Sequence, residues 1–155
     1  MSLLGRLFYK SRKFYDDDFD WDSYTDDSYK RRIETDIESQ FQAVADTDQL
    51  TFDATSGHVT VTGNEMHPNH LLILEAIGQL APKSVHEVGW GGGDHVANGQ
   101  TLFPGIRFTG GDRGQTQLDL AKTRHPTLKD AVALQDITMP LSRHWPRADF
   151  IYSQA

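Results

Sequence analysis

The spacing of apolar residues changes character along the chain. After Ser28 they fall at Tyr29, Ile33, Ile37, Phe41 and Val44, the stripe of a helix with roughly 3.6 residues per turn, capped by Asp27 or Ser28 and ending near Asp46. The period then drops: QLTFDATSGHVTVTG holds two alternating runs joined by a Ser-Gly turn and predicts a β-hairpin. Pro68 stands where a first helical turn tolerates proline, and Leu71, Leu72, Ile73, Leu74, Ile77 and Leu80 predict a helix apolar on most sides, buried between a sheet and another layer. From Lys83 onward strand and helix alternate. The strands are SVHEVG, IRFTGG, AVALQ and DFIYSQ, with helices over about Asp94 to Phe103 and Gln115 to Thr123. Such alternation with short connections predicts an α/β fold, a parallel sheet with right-handed crossovers whose strands are apolar on both faces.

Composition divides the chain into three parts. Residues 1–27 begin basic (Arg6, Lys10, Arg12, Lys13) and run into YDDDFDWDSYTDD, where Tyr15, Phe19, Trp21 and Tyr24 alternate with acids. The spacing Asp16, Asp18, Asp20, Asp22 resembles a calcium loop, but its sixth position needs glycine for the sharp turn and holds Trp21. An arm with its aromatics on the protein body and its carboxylates in water fits better. Residues 28–65 carry the amphipathic helix and hairpin, and residues 66–155 the alternating domain. With 155 residues, no cysteine and a net charge of −7, the expectation is a soluble cytoplasmic protein without disulfides or thiolate metal sites. No run reaches the ~20 apolar residues needed to span a bilayer. Acids outnumber bases, so no nucleic-acid footprint is evident.

Candidate chemistry concentrates in SVHEVGWGGGDH, at the end of the first strand of the alternating domain. In a doubly wound sheet this strand-to-helix turn is where a ligand lies against backbone, and glycine serves there through positive φ and close approach. The dinucleotide pattern G-x-G-x-x-G fails, because counting from Gly89 puts Asp94 in the third glycine place. A carboxylate there opposes a pyrophosphate at the helix N-terminus, which leaves a nicotinamide-dependent oxidoreductase a minor reading. Glu87 and Asp94 flank the glycines and favour a ligand carrying positive charge.

Glu87, Gly89, Gly91 and Gly93 resemble the E-x-G-x-G-x-G first motif of class I S-adenosylmethionine-dependent methyltransferases. The resemblance spans about residues 68–155 and implies a Rossmann-like doubly wound parallel sheet, here its first four strands, preceded by an N-terminal helix and β-hairpin. It implies S-adenosyl-L-methionine as cofactor, with Asp112 on the ribose hydroxyls, Arg113 near the adenine, Asp136 on the adenine amino group and Ile137 beside the ring. Ser153 and Gln154 would lie near the methionine end and the methyl acceptor. A small-molecule acceptor is expected, with no catalytic base identified.

The same residues have plainer readings: Asp112 as the cap of the helix near Gln115, Asp136 as the cap of a turn before Pro140, and His86 as a hydrogen-bonded core histidine. His67 and His70 share a helix start without an evident third metal ligand, and His95 follows the turn closely enough to touch a ligand. Trp90, where the family has a small residue, either packs behind the turn or lies over the site. Gly99, Gly111 and Gly114 also depart from the pattern, and Ala155 falls where the fourth strand ends, before the family's later strands. Hence the alternative expectation of a truncated or degenerate non-catalytic cofactor-binding or interaction module, pairing as a homodimer through the exposed sheet edge.

Overall fold

The computed structural model describes residues 49–63, 65–137 and 147–154. The acidic arm and the amphipathic helix expected over 28–46 lie outside the described residues. The hairpin comprises β1 (Leu50–Asp53) and β2 (His58–Val61), antiparallel in the register Leu50↔Val61 to Asp53↔His58. Its turn is built by Asp53, whose carboxylate accepts from Thr55 N–H and Ser56 O–H, each at 2.8 Å. Leu50 and Val59 face inward and pack with Met66 and Leu74.

Helix α1 (Pro68–Leu80) opens on His67, whose Nδ1 accepts from Asn69 N–H at 3.2 Å, and closes on Ala81 in the left-handed region. It is less buried than its composition suggests. His70, Leu74 and Ile77 form one inward line, whereas Leu72 and Leu80 stay exposed because hairpin and sheet cover a single side among the described residues.

The alternating region forms four parallel strands: β3 (Ser84–Val88), β4 (Arg107–Asp112), β5 (Val132–Leu134) and β6 (Phe150–Ser153), in the order β5-β4-β3-β6. Helix α2 (Asp94–Leu102) joins β3 to β4, and α3 (Gln115–Arg124) with the short turn Pro126–Leu128 joins β4 to β5. The chain thus steps outward from β3 in one direction, then returns to add β6 on β3's other side. It is a mixed α/β architecture compatible with a Rossmann-like sheet. One face carries the core, where Val85, Phe108 and Val132 meet Ile77, Val96, Ala97, Leu118, Ala121 and Leu128.

The expectation of strands apolar on both faces does not hold. In register, His86 lies between Thr109 and Ile151, and Ile151 is 62% exposed, so β6 buries one face only. His86 is satisfied inside the sheet layer by Thr109 Oγ1 and Gln135 Oε1, both at 2.8 Å, as its core-histidine reading expects. Two of the anomalous glycines are close-approach positions: a Cβ on Gly99 would enter the Phe108 ring, and one on Gly111 would overlap the Gln135 side chain.

Candidate functional site

The carboxyl ends of β3, β4 and β6 meet at the glycine turn. Gly89, Gly91 and Gly93 have φ of 70°, 54° and 81°, a region that side chains disfavour by sterics, so this backbone path requires glycine. Gly89 N–H still donates to Gly111 O at 2.8 Å and prolongs the sheet by one bond. Beyond it the chain lifts away: a Cβ on Gly91 would meet no atom within 4 Å, whereas one on Gly93 would press on Leu128 and Ala121. The turn therefore has an open side at Gly91 and a packed side at Gly93.

Asp112, at the end of β4, holds the turn in place. Its Oδ2 accepts from Gly91 N–H at 3.1 Å and its Oδ1 from Gly114 N–H at 3.2 Å. It does not cap α3, whose N-cap is Gly114 without a side-chain bond. One carboxylate thereby fixes two loops, with lone pairs remaining on both oxygens. Next to it Arg113 Nε and Asp136 Oδ2 form an ion pair at 3.2 Å, and Ile137 is largely exposed beyond them. Ser153 Oγ lies 3.9 Å from where a Cβ on Gly89 would stand, so the end of β6 borders the turn. Glu87, Gly89, Gly91, Asp112 and Ser153 thus surround one place, with Arg113, Asp136 and Ile137 to its β5 side.

Glu87 is the most deeply buried member. Only 1% exposed, it sits in the middle of the sheet, and Oε1 meets Nδ1 of His95 at 2.7 Å. Burial pushes its carboxyl above the usual range, with the bond to His95 and that ring's charge pulling the other way. Oε2 of Glu87 and the Tyr152 hydroxyl are buried beside each other, and Oε1 of Gln154 is buried as well. Glu87 and Tyr152 are paired across β3 and β6; burial, then the Glu87 charge and the hydrogen bond to it, hold the phenol above its ordinary value.

The acid after the glycines has a different use from the one expected. Asp94 Oδ1 meets His125 Nε2 at 2.7 Å and Arg124 Nη2 at 3.0 Å, tying the start of α2 to the end of α3. It is spent on internal partners and does not face the glycine turn as a free carboxylate. Trp90 is also settled. It is 3% exposed and belongs to the core, with its Cγ 3.3 Å from where a Cβ on Gly110 would be. It packs into the core against β4, as the first of its two sequence readings has it.

Behind His95 stands His70, the ring centroids 4.0 Å apart, with Nε2 3.3 Å from Asn98 Nδ2. Burial, then the charges of His95 and His67, depress the His70 imidazole to about 3. Sequence reasoning missed Tyr152, His125, Asn98 and Gln135 as polar partners. Only Tyr152 carried a signal, since strand alternation places it on the side of Gln154. A separate cavity of about 620 Å³ borders His86, Thr109, Asp130 and Gln135, away from the glycine turn. No group of acids and histidines suited to a metal occurs among the described residues. No helix there is long and apolar enough to cross a membrane.

Comparison with models of known protein families gives no match, and neither curated proteins nor solved structures match this chain.

Proposed function

We propose that this chain is the cofactor-binding part of a class I S-adenosylmethionine-dependent methyltransferase with a Rossmann-like doubly wound sheet. The observation that carries the reading is the buried polar cluster of Glu87 and Tyr152 beside a glycine turn that Asp112 holds at Gly91. The strand order reverses at β3, which puts this cluster at the switch point where open α/β sheets receive ligands.

The residues fit the cofactor's chemistry. A buried carboxylate at the strand end suits an ammonium or sulfonium and disfavours a pyrophosphate. Gly91 offers backbone at van der Waals distance, Asp112 retains acceptor capacity for two ribose hydroxyls, and Arg113, Asp136 and Ile137 stand to one side for an adenine. When bound, the sulfonium supplies an activated methyl group for in-line displacement. The chain's own contribution is to orient the ligand, exclude water around Glu87, and keep the turn from collapsing. A small-molecule acceptor and a soluble, cytoplasmic setting complete the proposal.

Titration calorimetry with S-adenosylmethionine is the decisive measurement, and a folded chain that takes up no heat of binding removes this reading. Asp112→Ala is expected to weaken binding by about 1–3 kcal/mol, since it deletes charge-assisted hydrogen bonds to the ribose and frees the Gly91 amide. A second reading, a non-catalytic cofactor-binding or interaction module that pairs through its sheet edge, is favoured by one observation. Asp112, Arg113 and Asp136 already satisfy one another and the backbone without a ligand. A dimer by light scattering, with no methyl transferred to any acceptor tried, would support it.

A further inference from the structure

Glu87 and His95 form a unit that ligand binding alone does not require. When Glu87 is ionised its Oε1 can only accept, which places the imidazole hydrogen on Nδ1 and leaves Nε2 with a bare lone pair. The carboxylate is buried, while the His95 side chain is 23% exposed and has no second hydrogen-bond partner among the described residues. His95 occupies the first turn of α2, directly after the glycines. The His70 ring braces it from α1, and Asn98 in turn holds His70.

We propose that Glu87 and His95 are a proton-accepting dyad at the mouth of the glycine turn, His95 Nε2 removing a proton from the reacting O–H or N–H of the acceptor. In that step the hydrogen leaves the acceptor, its bonding pair stays on oxygen or nitrogen, and the proton is taken by Nε2. The imidazolium that forms is balanced by the Glu87 carboxylate at 2.7 Å. Three other titratable groups face the ring: Asp94 from its own helix, His70 from α1 and, through Glu87, Tyr152 from β6. Only Glu87 is hydrogen-bonded to it, and His70, held neutral by burial, adds no competing charge. The dyad narrows the acceptor class to compounds whose reacting atom carries a proton, and excludes thioethers and pyridine-type nitrogens. For the reaction it serves, the inference rests on the methyl-transfer reading above.

Diethyl pyrocarbonate, which acylates accessible unprotonated imidazoles, tests the dyad on the full chain. Labelling is followed residue by residue by peptide mass spectrometry at about pH 8, above the ordinary range of imidazole. His95 and the exposed His58 are expected to react, and buried His70 and His86 to stay unlabelled. Glu87→Gln keeps the shape and an acceptor for Nδ1 but removes the charge, so labelling of His95 should fall about threefold or more while that of His58 holds, because basicity sets nucleophilicity. An unreactive His95, or equal rates in Glu87→Gln and the parent, overturns the proposal. Long-range ¹H–¹⁵N spectra of the parent give a check independent of that variant's folding: hydrogen on Nδ1 of His95 supports the dyad, and hydrogen on Nε2 alone overturns it. S-adenosylhomocysteine separates the two readings. If it slows His95 labelling, both are supported; if calorimetry finds that neither it nor S-adenosylmethionine binds, methyl transfer falls and the labelling rates alone decide the dyad.

Discussion

Trp90 shows how far one side chain can be read from its neighbours in sequence. Between two glycines of a ligand-type turn, an indole has no fixed destination, because the turn's direction decides whether it faces the site or the core. The structure buries it against Gly110. The glycine in β4 and the tryptophan in the turn are therefore one packing device, and neither position alone reveals it. Trp90→Ala is expected to lower stability by about 3–5 kcal/mol, as for other large core truncations, without strengthening S-adenosylmethionine binding. Chemical denaturation with calorimetry on the surviving folded fraction measures both. Stronger binding at unchanged stability would return Trp90 to the mouth of the site.

At the scale of elements, periodicity and turn chemistry located the hairpin, the four parallel strands and their helices within a residue or two, because each has its own local signal. Burial was less legible. The apolar run of α1 counts leucines on both sides, but only the His70, Leu74 and Ile77 side finds a partner. The site was legible as a set of residues at strand ends, yet the partners that set its chemistry were not, since Glu87–His95, Asp94–His125 and Arg113–Asp136 depend on how crossovers bring helices together. Gly99 exposes the same limit. By helix propensity alone, Gly99→Ala should stabilise α2 by about 1 kcal/mol. Because the Phe108 ring fills that space, overpacking reverses the sign, and a net loss of about 1–3 kcal/mol is expected in urea melts. A net gain would mean that the ring can move aside.

For the whole molecule, buried titratable groups set opposing responses to acid. His70 is held near 3, below its ordinary 6.5, so between those values the unfolded chain binds more protons. Its contribution is complete above 6.5 and lost as pH falls toward 3. Glu87 and Asp94 are raised, chiefly by burial, so the folded form binds their protons first, and the cost of keeping them ionised is relieved as pH falls into the carboxylate range. His70→Gln removes the acid-sensitive member and keeps an acceptor for Asn98. The urea midpoint of the parent should therefore fall more than that of His70→Gln between about pH 7 and pH 5. Parallel behaviour of the two would locate acid sensitivity elsewhere.

The strand order also carries a consequence in time. β3 is one of the sheet's two inner strands and holds the glycine turn, but its neighbour β6 arrives late: Ser84 and Asp149, which lock the start of that pairing through a bond of 3.0 Å, are 65 residues apart. During synthesis β3 can pair with β4 as soon as α2 has formed, while its other edge waits, unpaired, for most of the remaining domain to emerge. Of the two inner strands, the one that would cradle the ligand is thus left longer as a template for a stray strand. The polar side chains His86 and Glu87 at its centre make that waiting edge a poorer match for an apolar intruder than a run of valines would be.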